Sequence, residues 1–356
     1  MRGGIPGLLG VVLVWGVLST ACRAPRDEAP VLSQEAITVY TTLLDEEIKT
    51  YLAAFQAVYP TAKVKIVQSS TGPLVSRLVA ERYHPRADVL WGVDVTNLVL
   101  LEWHDMLVPY TPAGLARMSP QFYSVHRPPY WVGISARMLA FCVNLERLAQ
   151  YKLPFPAAWR DLSNPAYKGH LVLPHPVTSG TGYLVLDTVL QHYGKIEGWE
   201  YLDALHQNVM THTGSGAESC RLADLGEATI GVTYGMAGLQ EKSTGAPIEV
   251  IFPSDVTGWD MVANALVKRP ALTIKPAAKA FLDWAISDSA MQAYGKKSPL
   301  TAVRTNIAPM PGFPHDLARR LFDKDMMWSA AHHDSILREW QRRYGNRVDG
   351  NKVASN

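Results

Sequence analysis

Short β-branched or apolar runs alternate with helical patterns along most of this chain, and that alternation constrains the fold more than any other feature. Ile37-Thr38-Val39-Tyr40 is followed by a helical pattern over 46–58, the run 63–67 by another over 73–83, and 87–91 completes the first series. Such an order is the signature of βαβ units on a mostly parallel sheet. The second of these helices is well specified. Pro73 sits in its first turn, Leu74, Val75, Leu78 and Val79 share one face, and Arg77, Glu81 and Arg82 share the other, with Thr71 expected as N-cap.

A long apolar stretch over 131–144 suits a strand passing between two lobes. A second series follows, with strands at 170–173 and 230–233 and helices at 183–193, 199–208 and 217–225. Strands at 247–252 and 261–267 come next, the latter returning to the first lobe, and helices at 277–294, 314–322 and 335–344 close the chain. The sequence therefore predicts an α/β fold of two lobes: 36–135 with 260–345 in lobe one, 136–259 in lobe two, and 346–356 as a flexible polar tail. Strands that cross between lobes more than once make a hinge with an interlobe cleft, where open α/β sheets bind ligands.

Arg2, the apolar run 8–18 and the small residues Ser19-Thr20-Ala21-Cys22 predict an export signal over 1–22, similar to a bacterial lipoprotein signal in which Cys22 takes the lipid. Residues 23–35 are then a tether, and the only membrane contact is the lipid anchor. The 47% hydrophobic and 19% charged residues are those of a packed globular protein. A net charge of +2, evenly spread, gives no case for nucleic acid. Of the three cysteines, Cys142 and Cys220 fall in different predicted elements and are expected as two separate buried thiols. The sequence has no Cys-x-x-Cys, no His-Glu-x-x-His and no acidic calcium loop, so neither metal nor cofactor is expected. His332-His333 is expected at a solvated helix start.

Three clusters of Ser, Thr and Gly open predicted helices: Ser69-Ser70-Thr71-Gly72, Thr178-Ser179-Gly180-Thr181-Gly182 and Thr213-Gly214-Ser215-Gly216. Each alone is an ordinary cap. Three facing one cleft, the first on lobe one and the others on lobe two, make jaws for an oxyanion, because helix N-termini present unpaired N–H groups and partial positive charge. The expected contacts are Ser70, Thr71, Ser179, Gly180, Thr181 and Ser215. Tyr40, Trp91, Tyr234 and Trp259 are expected as cleft walls, while Trp131 suits the core. Arg137 either pairs with the anion bidentately or bridges the lobes through a carboxylate. Asp94, Asp255 and Asp260 are candidates for a cationic end of the ligand, with capping or surface roles favoured for Asp255. The glycines around Ser215 are adjacent to it rather than spaced as Gly-x-Ser-x-Gly, and no catalytic role is expected.

The chain resembles the extracellular solute-binding proteins of bacterial ABC importers, within them the 2-aminoethylphosphonate branch. The resemblance rests on Ser70-Thr71-Gly72 with Ala80-Glu81-Arg82, Ala87-Asp88-Val89-Leu90-Trp91-Gly92, Trp131-Val132-Gly133, Trp159-Arg160-Asp161-Leu162, Pro165-Ala166-Tyr167-Lys168-Gly169, Pro174-His175-Pro176 with Ser179-Gly180-Thr181-Gly182, and Gly258-Trp259-Asp260. It implies a type II periplasmic-binding-protein fold and a monomeric periplasmic receptor. Such a receptor delivers a small organophosphorus anion to permease and ATPase subunits. A sensor subunit serving a membrane receptor shares these features. Ferric-ion binders of the same superfamily are the alternative; they use adjacent tyrosines where this chain has Tyr234-Gly235-Met236. The chain also departs from the phosphonate branch, with Val262 where a glutamate is expected after Asp260-Met261, and Asp94 where a small neutral residue is usual.

Overall fold

The computed structural model describes Met1, Gly3 and residues 36–269, 274–302 and 308–353, with side chains to Gly345. Cys22 and the 23–35 tether lie outside the described residues.

The first series is β1 (Ile37–Thr41), α1 (Asp45–Val58), β2 (Val64–Gln68), α2 (Thr71–Ala80), β3 (Val89–Asp94), α3 (Val95–Trp103) and the short β4 (Leu107–Val108). The long β5 (Trp131–Asn144) leads to α4 (Leu145–Gln150), β6 (Leu171–Pro174), α5 (Gly180–Tyr193), α6 (Lys195–His206), β7 (Val209–Thr213), α7 (Gly216–Asp224), β8 (Ile230–Tyr234), α8 (Gly235–Ser243) and β9 (Ile248–Ile251). β10 (Trp259–Val267), α9 (Pro276–Ala285), α10 (Asp288–Tyr294), α11 (Leu317–Arg320) and α12 (Met326–Val353) complete the chain.

The strands form one hydrogen-bonded path in the order β2-β1-β3-β10-β5-β8-β6-β7, with β4 on β10 and β9 on β5. β1 is parallel to β2 and β3, and β6 is parallel to β7 and β8. β5 joins these halves. Its first residues pair antiparallel with β10, Trp131 opposite Ala265 through Met138 opposite Trp259, and Leu139–Val143 pair with β8. Two cores follow this division: Val39, Leu90, Trp91 and Phe281 pack in the first, and Phe141, Trp159, Leu184 and Leu202 in the second. At about 25 cal/mol per Å² of apolar surface, these cores are the main stabilising term of each lobe.

Several elements differ from the sequence expectation. α3 is buried along nearly all its length, so it has no polar face to create a helical period and goes unnoticed in the sequence. β7 and α8 also appear, the 277–294 helix is broken into α9 and α10, and α12 starts earlier and runs on to Val353, into the expected frayed tail. His332 and His333 therefore lie inside α12 rather than at its start; the former is exposed, and the latter stacks near Tyr183 at 4.5 Å.

The two separate thiols are a further correction: Cys142 and Cys220 form a disulfide. β5 and α7 pack against each other, bringing the two Cα atoms to 5.3 Å, within bridging range.

Candidate functional site

Parallel strands end on one edge of each lobe, and the site residues follow those ends. β2 runs into Ser69-Ser70, β3 ends at Asp94, and β6, β7 and β8 run out toward Ser179, Ser215 and Tyr234. Ser70, rather than the expected Thr71, is the N-cap of α2, and Thr71 is its first helical residue. Ser179 precedes α5, and Ser215 caps α7 by accepting the Glu218 N–H.

The lobes meet at these helix starts. The Gly72 N–H donates to the Thr178 carbonyl at 3.1 Å, and a Cβ on Gly72 would fall 2.2 Å from the Val177 oxygen, so glycine alone fits. A Cβ on Gly180 would lie 2.7 Å from Thr71 Oγ1 and 3.2 Å from Asp94 Oδ2; one on Gly216 would lie 2.7 Å from Thr181 Oγ1. α2 of the first lobe and α5 and α7 of the second thus present their N-termini to one small region. Thr71, Ser179 and Thr181 are buried there, and Ser70 and Ser215 are half-buried.

Asp94 sits beside this region as the N-cap of α3. Its Oδ1 accepts from the Asn97 backbone N–H at 3.1 Å and Nδ2 at 2.7 Å, and its Oδ2 accepts from Thr71 Oγ1 at 3.3 Å. The N-termini of α2, α3, α5 and α7 each bring about half a positive charge to this region, where Asp94 and Glu218, the latter in the first turn of α7 and accepting from the Gly214 N–H, are the carboxylates.

Arg137 takes the bridging role. Its Nη2 lies 3.3 Å from Glu47 Oε2 and donates to the Thr42 carbonyl at 3.1 Å, while the guanidinium sits 5.1 Å above the Tyr234 ring. Glu47 and Thr42 belong to lobe one and Tyr234 to lobe two. Burial raises the Tyr234 pKa, partly opposed by Arg137 and by a hydrogen bond with Thr181, so the phenol stays protonated.

Tyr40 and Trp91 lie away from the expected cleft wall, Trp259 is engaged within the fold, and Asp255 takes the capping role favoured for it. Tyr40 is buried, with its hydroxyl donating to Glu81 at 3.0 Å and the Arg77 guanidinium over its ring. Trp91 is fully buried among Tyr51, Phe281 and Trp284, and its indole N–H donates to the Tyr294 hydroxyl at 3.2 Å. Tyr40 pairs with Leu90 and Thr41 with Trp91, so the two aromatic side chains point to opposite faces of the sheet, and both faces are packed in the first lobe. Trp259 is half-buried and tied to the Phe322 carbonyl at 2.9 Å. Asp255 caps backbone, accepting from the Trp159 N–H at 3.1 Å, and also takes the Tyr193 hydroxyl at 3.0 Å.

Asp260 belongs to a second cluster that the sequence reading missed. Lys324, on the segment before α12, is 1% exposed at its side chain and lies 2.9 Å from Asp187 Oδ2 and 3.2 Å from Asp260 Oδ2. Asp260 also accepts from Thr96 Oγ1 at 3.2 Å and the Met261 N–H at 2.8 Å; Asp187 accepts from Ser329 Oγ at 2.8 Å and Gln191 Nε2 at 2.7 Å. Burial pushes the Asp260 carboxyl up to about 6, with Lys324 opposing and Asp94 and Asp187 reinforcing the rise. Burial alone depresses the Lys324 ammonium, but Asp187 and Asp260 outweigh it and hold the pKa above its ordinary value. Asp187 was detectable as an acid inside the apolar run Leu184-Val185-Leu186, whereas Lys324 gives no local signal.

A cavity of about 720 Å³ lies elsewhere, between α5, α6 and α12, walled by Leu190, Trp199, Trp328 and Ile336. It shares no residue with the glycine and hydroxyl cradle.

Among known proteins, a model for bacterial extracellular solute-binding proteins matches residues 86–311. An uncharacterized protein of Haemophilus influenzae is 28% identical over 311 residues, 85% of this chain and 89% of its own. The periplasmic binding protein AfuA of Actinobacillus pleuropneumoniae, solved with exogenous fructose 6-phosphate bound, superposes with a TM-score of 0.78 at 25% identity, over 87% of this chain and 99% of that one. A periplasmic protein of Salmonella typhimurium assigned to 2-aminoethylphosphonate binding is 24% identical over 235 residues, 65% of this chain and 66% of its own. A Fe(3+)-binding periplasmic protein of Serratia marcescens is 24% identical over 203 residues, 57% of each chain.

Proposed function

This chain belongs to the bacterial extracellular solute-binding proteins, the binding components of ABC importers, and we propose that the solute it captures is a small organophosphorus anion. Its fold is that of a type II periplasmic binding protein. Its partners are accordingly the permease and ATPase subunits of an importer. No helix among the described residues is long and apolar enough to cross a membrane, and lipidation of Cys22 would hold the receptor at the membrane.

One observation carries the reading: the N-termini of α2, α5 and α7, drawn from both lobes, meet through Gly72, Gly180 and Gly216. First-turn N–H groups there have no intrahelical partner, and the hydroxyls of Ser70, Ser179, Thr181 and Ser215 add donors, while the Thr71 hydroxyl donates to Asp94. A phosphoryl or phosphonyl group offers three acceptor oxygens to such a set. Because its contacts come from both lobes, the anion favours the closed arrangement, and that difference in affinity drives closure. The fructose 6-phosphate on AfuA and the phosphonate assigned to the Salmonella relative support the same class of ligand.

The ferric alternative has a relative in its favour but lacks the side chains. Fe(III) asks for several anionic oxygens, and Tyr234 is a protonated phenol engaged by Thr181 and Arg137. Calorimetric titration with ethylphosphonate, 2-aminoethylphosphonate, fructose 6-phosphate, orthophosphate and ferric citrate tests the proposal. Binding of at least one phosphorus anion is expected, and tight binding of iron alone would falsify it.

A further inference from the structure

We propose that Lys324 is a specificity residue that fills the acidic pocket beside the anion cradle with the protein's own ammonium. The ligand is then a phosphate monoester or alkylphosphonate whose remainder carries no amine. The inference rests on the organophosphorus reading above and narrows it.

A ligand ammonium entering a closed cleft needs a carboxylate, because burying a charge without a partner is costly. The carboxylates near this cradle are already matched. Asp94 is held by Asn97 and Thr71. Asp187 and Asp260 share the Lys324 ammonium and also accept from Ser329, Gln191, Thr96 and the Met261 N–H. Glu218, in the first turn of α7, accepts from the Gly214 N–H at 2.7 Å.

The acidic pocket adjoins the cradle along two elements. Asp187 lies two turns beyond Gly180 on α5, and Thr96 lies two residues beyond Asp94 at the start of α3. A second cation there would face Lys324 across the same two carboxylates and repel it. Lys324 cannot easily swing out, since the backbone on either side of it is anchored. The Trp259 indole donates to the Phe322 carbonyl, the Asp325 N–H donates to Gln191 Oε1 at 2.9 Å, and the Trp328 N–H donates to Asp325 Oδ1 at 2.8 Å.

An amine-binding pocket presents an acid that is free to meet the ligand; here the two buried acids are joined to a lysine delivered by the C-terminal segment. Lys324 acts on the ligand by occupying space and charge, as a repulsive element against amine-bearing competitors.

Calorimetric titration of ethylphosphonate and 2-aminoethylphosphonate against the wild type and Lys324→Ala tests the proposal. The wild type is expected to favour ethylphosphonate by 10-fold or more, and the variant to lose or reverse that preference. A wild type that prefers the amine, or a preference unchanged in the variant, would overturn it. If Lys324→Ala does not fold, the charge-balanced pair Lys324→Met with Asp187→Asn leaves Asp260 for a ligand ammonium and carries the same comparison. Should neither phosphonate, nor orthophosphate, nor fructose 6-phosphate bind the wild type, the organophosphorus reading fails by itself. The pocket is then judged by heat denaturation: ethylammonium chloride should raise the midpoint of the lysine variant above that in equal sodium chloride and leave the wild type unmoved. No such rescue would refute the ammonium site.

Discussion

The backbone N–H of Gly72 on the first lobe donates to the carbonyl oxygen of Thr178 on the second, 3.1 Å away. This contact sits where α2 meets the loop that opens α5, so the strand ends of the two lobes face each other across the cradle. A Cβ at Gly72 would fall 2.2 Å from the Val177 oxygen. Gly72→Ala is therefore expected to leave each lobe folded, since alanine suits a helix start, while blocking this approach. Ligand affinity should fall 10-fold or more, and solution scattering should show a more extended particle. Unchanged affinity would mean that the contact plays no part in capture.

The disulfide ties β5 to α7, the helix that carries Ser215 and Gly216 at its start. It closes a loop with a sequence separation of 78 residues, for which chain entropy assigns about 4.5 kcal/mol of stability. Cys142→Ser with Cys220→Ser should lower the urea midpoint markedly and steepen the slope, because the unbridged unfolded chain exposes more surface. A midpoint that stays put would show that the bridge contributes nothing to the folded state.

Asp260 gives a pH signature of known sign. Its carboxyl is pushed up from 3.8 to about 6, mainly by burial, so the folded state holds this proton more tightly than the unfolded chain does. The group's contribution is fully present below 3.8 and is lost as pH rises through about 6, a swing of roughly 3 kcal/mol. The wild type should thus gain stability relative to Asp260→Asn as pH is lowered from 7 to 5. Parallel pH profiles for the two proteins would contradict this assignment.

Trp91 is a core residue, fully buried against Phe281 and bonded to Tyr294. Trp91→Ala should cost about 3–5 kcal/mol and leave the dissociation constant of the folded protein unchanged. Weaker binding without a loss of stability would return Trp91 to the cleft wall.

The alternating βα order and the three Ser, Thr and Gly clusters were legible in the sequence because backbone demands leave local marks: β-branched runs, caps, and glycines where another chain approaches. Side-chain direction is not local in that sense. Tyr40 lies near the end of β1, but β3 runs on to Asp94 and leaves Trp91 mid-strand, and because both faces of the sheet are packed each side chain is buried in the core. The pairing of Cys142 with Cys220 and the cluster of Lys324 with Asp187 and Asp260 join elements far apart in the chain, and no spacing rule announces them. Arg137 was readable in two ways, and the fold places Glu47, in the first turn of α1, 3.3 Å from its guanidinium.

An oxyanion held by helix N-termini of both lobes loads amides on α2, α5 and α7 together. Amide NMR during titration with ethylphosphonate tests it most directly. Downfield proton shifts are expected together at Thr71 on α2, Gly180 and Thr181 on α5, and Gly216 on α7. Saturating ligand that leaves those four amides unmoved, with shifts confined to other parts of the chain, would contradict it.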